Sequence, residues 1–362
     1  MAFDDTLLDD PARLADADAA GLLRATAMAG AQVRSAVEMA AEVELAARLD
    51  VGRPRAVVLV GRRGVGQAVV RLIAALLTPE CPVPVVVAEV APSWVGALDV
   101  VYAHTDDPAD RELATSLERA GRYGATVVLS APAEGPVAAS VAGKGVLLAP
   151  RVVTGSGQAF ARTLVAGLLT VSVLNLLEVD FDALADELDA EAERSHLGHE
   201  SFVNPAKALA LRLAERTPLL WGLDPVATAV ADHAAYVLAA EAAVVADAAE
   251  YQQAVSRAAL HRSAVVDTSG RDIFADPDDP AAGSRFRTLL LAVRTDAAAL
   301  QARRNATEMF PSADVVDVAD EIQVSVPVLA AILALRFELA AVYLGLAAGS
   351  IGGASRFAPV QA

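Results

Sequence analysis

Short, continuous runs of β-branched and aliphatic residues recur along this chain, each followed by a turn and a helical stretch. In the first half they are Arg55–Val60 (RAVVLV), Pro84–Val87 (PVVV), Asp99–Tyr102 (DVVY), Ala125–Leu129 (ATVVL) and Val146–Leu148 (VLL). A strand that is apolar on both faces belongs in a parallel sheet covered on both sides. Alternation of such strands with helices prescribes an α/β architecture. The rhythm restarts at Thr217–Trp221 (TPLLW), which runs through Gly222-Leu223-Asp224-Pro225 into a long Ala-rich helix. Asp224 suits the N-cap and Pro225 the first helical position. Further strands are expected at Ala264–Val266, Thr288–Val293 and Asp314–Val318, and helices at Asp296–Met309 and Pro327–Leu346. Thr268–Ser284, rich in Asp, Gly and Pro, reads as a loop.

Two αβα halves follow from this pattern, preceded by helices. The expected organisation is an N-terminal helical segment over 1–50, a first domain over 51–155, a helical connector over 156–215, a second domain over 216–350 and a frayed tail over 351–362. The composition agrees: 55% of the 362 residues are hydrophobic but only 4% aromatic, so Ala, Val and Leu must fill a sizeable core. With 46 acids against 29 bases the net charge is −17, which argues against a nucleic-acid partner. A single cysteine, Cys81, excludes an intramolecular disulfide and a Cys-based zinc cluster. No metal or other cofactor is expected: His196 and His199 flank Gly198 in what reads as a loop and lack a third ligand at a known spacing. The acidic N-terminus has no secretory pattern. Thr163–Leu177 is too short to span a bilayer, Pro225–Ala246 is interrupted by Asp232, His233 and Glu241, and Pro327–Ala348 carries Arg336 and Glu338. All three are read as buried or dimer-interface helices of a cytoplasmic protein.

The strongest local signal is Val57–Val70, a strand entering Gly61-Arg62-Arg63-Gly64-Val65-Gly66 and then a helix. Glycines let a backbone approach a ligand, and a helix N-terminus attracts anions. The spacing fits neither the Rossmann fingerprint nor the P-loop. It serves either as an anion-binding turn, with Arg62 and Arg63 supplying charge, or as a tight turn without ligand. After the third strand comes Ala103-His104-Thr105-Asp106-Asp107-Pro108-Ala109-Asp110, where Thr105 could bond an anion and three aspartates would repel it. There Asp107 before Pro108 reads as a helix cap. Glu241 stands alone in Val237–Val245 (VLAAEAAVV). Such a carboxylate either has a raised pKa suited to proton abstraction or joins a surface stripe with His233 or Asp247.

In order of elements the chain resembles the phosphoglucose/phosphomannose isomerase family, whose members carry two SIS (sugar isomerase) domains. Gly61, Gly64 and Gly66 fall where that family has a G-M-G-G-S-G phosphate loop. Asn204-Pro205-Ala206-Lys207-x-Leu209-Ala210 resembles its N-x-A-K-x-L-A stretch, and Tyr343–Ala347 its closing Y-L-A-L-A helix. The resemblance implies two SIS-type αβα sandwiches, a homodimer and a sugar-phosphate ligand. It also implies aldose–ketose isomerisation through a cis-enediol, with Glu241 as base and the enediolate steadied either by Arg151 or, in the other register, by an Arg that Gln158 here replaces. Substrate would be held by Gly61, Arg62, Arg63, Gly64, Gly66, Thr105 and Gln253. Several positions depart from the family. Gln253 replaces the ring-opening His, Val65 the phosphate-loop Ser, and Asp107 and Asp110 two further hydroxyl residues. Gln cannot act as an acid–base at neutral pH. Two functions are therefore in play: a phosphosugar isomerase, and a non-catalytic sugar-phosphate sensor or regulatory partner of a sugar-metabolism enzyme.

Overall fold

The computed structural model describes residues 3–77, 79, 81–152, 158–269, 285–311 and 313–352. The chain divides into two compact units, one of residues 28–189 and one combining the first 27 residues with those from 190 onward. The boundary falls inside a helix, Phe181–Arg194.

The unit of residues 28–189 is built on five parallel strands: β1 (Ala56–Gly61), β2 (Val85–Ala88), β3 (Asp99–His104), β4 (Thr126–Ser130) and β5 (Val146–Leu148). Their order is β2-β1-β3-β4-β5. β1 and β3 are buried at every residue, the reason both read as unbroken apolar runs. A short 3-10 turn (Asp5–Asp9), α1 (Pro11–Ala17) and α2 (Leu22–Ala27) belong to the other unit. Here the helices are α3 (Ala29–Glu42), α4 (Leu45–Arg48), α5 (Val65–Leu77), α6 (Arg111–Arg122), α7 (Gly135–Ser140) and α8 (Phe160–Val173), followed by most of α9 (Phe181–Arg194). One core layer packs Val58, Val60, Val101, Val127 and Leu129 against Leu113 and Leu117 of α6.

The second unit carries four parallel strands: β6 (Thr217–Gly222), β7 (Asp247–Glu250), β8 (Phe286–Ala292) and β9 (Asp314–Asp317), in the order β7-β6-β8-β9. Its helices are α10 (Pro205–Leu213), α11 (Pro225–Ala242), α12 (Tyr251–Ser256), α13 (Ala258–Ser269), α14 (Ala297–Met309) and α15 (Val326–Ala347). Trp221 anchors its core: Phe310 meets it edge-on at 6.0 Å and His261 stacks on it at 6.3 Å. α15 is the one helix among the described residues long and apolar enough to cross a membrane, and Pro327 to Ala347 are all buried within the chain. An open apolar face for a dimer is therefore not found along α15. Arg336 is tied to Glu191 and Glu321, and Glu338 to His233 at 3.1 Å.

Three local expectations are corrected. The strand expected at Ala264–Val266 lies inside α13, because its apolar residues continue a helix that starts at Ala258. The neighbour of β6 is instead β7, whose sequence Asp-Ala-Ala-Glu carries no β-branched residue. α6 is capped by Asp110, whose carboxylate accepts the Leu113 N–H at 2.9 Å, while Asp107 closes a turn by accepting the Ala109 N–H. Most of the loop expected at Thr268–Ser284 lies outside the described residues.

Candidate functional site

In an open parallel sheet, ligands bind beyond the carboxyl ends of the strands, where the strand order reverses. The first sheet reverses between β1 and β3. The loops leaving those strands are Gly61–Gly66 and Thr105–Asp110, so the topology brings the glycine turn and Thr105 to one edge. The turn is tight. A methyl group on Gly61 would lie 2.3 Å from the Gly66 carbonyl oxygen, and Gly64 holds φ +90°. Gly66 lies against the His104 ring, where an added methyl would sit 3.0 Å from Cδ2. No side chain among the described residues caps the amides of Gly64, Val65 and Gly66 at the start of α5. Gly64 is partly exposed, while Val65 and Gly66 are buried.

The charged residues of this edge are otherwise committed. Arg62 is largely buried and donates from Nε to Asp110 at 2.6 Å and from Nη2 to Glu112 at 2.8 Å. Burial alone would raise the Asp110 pKa, but the Leu113 amide and Arg62 hold it below the ordinary carboxylate range. The Thr105 side chain is buried and its hydroxyl accepts the Asp107 N–H at 3.1 Å. Arg63 is exposed. Arg151 is also exposed, beyond β5, and forms a bidentate pair with Glu42 of α3.

Beneath the glycine turn lies a polar cluster only partly signalled by the sequence. His104 Nδ1 meets Ser130 Oγ at 3.1 Å, and Nε2 meets Thr163 Oγ1 at 3.3 Å. Asp106 lies 3.7 Å from Nε2 and is held by Arg162 at 2.6 Å. Burial pushes the Asp106 carboxyl up, yet His104 and Arg162 bring it below the usual range. Ser130 also lines a small pocket of about 30 Å³ with Gln32, Pro150, Arg151 and Arg162. His104 beside Thr105 was visible in the sequence. Ser130, Arg162 and Gln32 were not, because strand pairing and helix packing alone bring them there.

The second sheet treats the same position differently. It reverses between β6 and β8, and there Asp224 is buried. Its carboxylate accepts three amides: Ala227 at 2.9 Å, Val293 at 2.9 Å and Arg294 at 3.1 Å. The protein's own anion fills this crevice. Nearby Asp317 is pushed above its usual range by burial, although Arg303 pairs with it and with Asp320.

Glu241 and Gln253 share this unit but not an edge. α11 starts beside the carboxyl end of β6, and Glu241 lies sixteen residues further on, about 24 Å along the helix axis. Its backbone carbonyl accepts the Ser350 hydroxyl at 3.3 Å. Gln253 follows β7, whose last residue Glu250 is in register with Gly222, so it sits exposed at the carboxyl edge.

No protein-family signature and no curated protein matches the chain. Solved structures do. A candidate phosphosugar isomerase from Silicibacter pomeroyi superposes with a TM-score of 0.60 at 16% identity, covering 91% of this chain and 98% of that one. Tagatose-6-phosphate ketose/aldose isomerase from Escherichia coli gives 0.58 at 10% identity, over 94% and 96%. Glucosamine-6-phosphate deaminase from Thermotoga maritima gives 0.56 at 10%, over 87% and 93%. The fold is thus the double α/β fold of the SIS phosphosugar isomerases.

Proposed function

We propose that this chain binds a phosphorylated sugar and does not isomerise it, acting as a sensor or regulatory partner in sugar metabolism. The observation that carries this reading is the Gly61–Gly66 turn. It follows β1 at the reversal point of the first sheet with no side-chain cap on its amides among the described residues, while at the equivalent point of the second sheet Asp224 already takes up the amides of Ala227, Val293 and Arg294. The similar structures named for phosphosugar enzymes support the choice of ligand. A phosphate would sit on the amides of Gly64–Gly66 with Arg63 beside it.

The phosphoglucose/phosphomannose type of isomerisation asks more. It needs a base and a ring-opening acid poised over one substrate. Glu241 stands at the far end of α11 from Gln253, and the Gln253 amide does not titrate near neutral pH, so it cannot act as acid or base. Binding without turnover is the expected result. Calorimetric titration with glucose 6-phosphate, fructose 6-phosphate and mannose 6-phosphate, beside a coupled isomerase assay, tests both halves. Turnover at about 1 per second or faster that disappears in Glu241→Ala would establish the isomerase instead.

A further inference from the structure

We infer that the cavity between α10 and β9, within the second unit, is a binding site for a small aliphatic amino acid. Pro205, Ala208, Leu209 and Arg212 line it from α10. They recur at i, i+3, i+4 and i+7 and so form one face of the helix. The other lining residues are Val315, Val316 and Asp317 of β9, with Glu321 and Arg336. The cavity measures about 250 Å³. That is below the roughly 300–1,000 Å³ of sites for drug-sized ligands, so it suits a smaller molecule.

Two opposite charges at this cavity lack a counter-charge. Arg212 is exposed and makes no hydrogen bond or ion pair among the described residues. Beside β9 the balance tips the other way. Arg336 and Arg194 answer Glu191 and Glu321. Arg303, however, is shared by Asp317 and Asp320, which leaves one negative charge in excess. Water screens Asp320, whose side chain is 65% exposed, but the Asp317 side chain is only 6% exposed. Burial first, then Asp320 and Asp224, oppose the Asp317 charge strongly enough to outweigh Arg303. Arg336 does not compete for a ligand. It is buried, and four of its five N–H groups already go to Glu191 and Glu321.

An anion alone would pair with Arg212 but meet repulsion from Asp317 and Glu321. An amine alone would leave Arg212 unpaired. An α-amino acid carries both charges on one carbon. Its carboxylate suits the fork of the Arg212 guanidinium, and its ammonium supplies the cation that Asp317 lacks. The rest of the lining (Pro205, Ala208, Leu209 and Val315) is apolar and takes an aliphatic side chain.

L-Leucine and L-valine are the probes, titrated calorimetrically into the full chain at neutral pH with no sugar phosphate present. Both should bind. Isocaproate, which is leucine without its amino group, and isoamylamine, which is leucine without its carboxylate, should bind at least about tenfold more weakly. Arg212→Ala changes an exposed side chain and should weaken leucine at least about tenfold, while Arg212→Lys keeps the charge and should recover part of the loss. Ala208→Leu extends a side chain into the cavity and should abolish binding. Thermal melts check that each variant is folded. The inference is overturned if neither amino acid binds the folded wild type at about 10 mM, a range that reads millimolar dissociation constants. Equal binding of isocaproate and leucine overturns it too, as does undiminished leucine binding in folded Arg212→Ala. The glycine turn belongs to the other unit and sugar phosphates are left out, so the outcome is independent of the ligand proposed there.

Discussion

Replacing Asp224 by alanine tests whether the second sheet carries its own anion. The carboxylate caps α11 through the Ala227 amide and satisfies the amides of Val293 and Arg294 after β8. Losing the cap costs about 1 kcal/mol. Leaving two largely buried amides unpaired costs about 1–3 kcal/mol each. The sum is about 4 kcal/mol, which for a unit of this size lowers the melting temperature by about 10 °C. Scanning calorimetry of the full chain reads it, and the transition of the second unit should move while the other stays. The hole left by the side chain has the shape of a carboxylate. Acetate should therefore rescue the variant, and at ten times its dissociation constant it restores about 1.4 kcal/mol. Acetate should do nothing comparable for the wild type, whose crevice is full. A shift below about 3 °C, or the same acetate effect on both proteins, would refute the claim that this crevice is an occupied anion site.

Gly61→Ala places a methyl group 2.3 Å from the Gly66 carbonyl oxygen, so the turn must open. A loss of about 1–3 kcal/mol in chemical denaturation is expected, together with loss of sugar-phosphate binding by calorimetry. Lys207 is fully buried and donates to the carbonyls of Leu8, Leu197 and His199 at 2.5, 2.8 and 2.6 Å, pinning the N-terminal segment to α10. Lys207→Met leaves one buried and two part-buried acceptors unpaired and should cost about 2–4 kcal/mol, measured by urea midpoint. Asp106 and Asp110 have folded pKa values below their unfolded ones, so their stabilisation is present above the ordinary carboxylate pKa and is lost as pH falls through the depressed values. Melting curves below about pH 4 should show that loss, and Asp106→Asn should reduce it. Glu338 has the opposite sign: burial raises its folded pKa despite His233, so stability is full below the unfolded value and falls as pH rises through the raised one. Glu338→Gln should remove that alkaline-side decline in pH-dependent melts.

Both sheets could be read from the sequence because burial on both faces writes itself as uninterrupted apolar runs, as at Val57–Val60 and Leu289–Leu291. β7 escaped because its two central alanines are flanked by acids, and only pairing with Leu219–Gly222 makes it a strand. The glycine turn was legible for a related reason. Gly61 and Gly66 sit five residues apart in the chain, and their close approach is a local event. The rest of the site depends on distant pieces. Ser130 reaches His104 only because β4 lies beside β3, and Arg162 reaches Asp106 only because α8 packs against the same unit. Charge misled most. Arg62 reads as a phosphate ligand until Asp110 and Glu112 are seen to consume it. Asp224 reads as a routine helix cap, yet two further amides converge on it from the segment that follows β8. The net acidity of the chain therefore has a local meaning at these edges. At both reversal points carboxylates take up donors, Asp110 those of Arg62 and Asp224 three backbone amides.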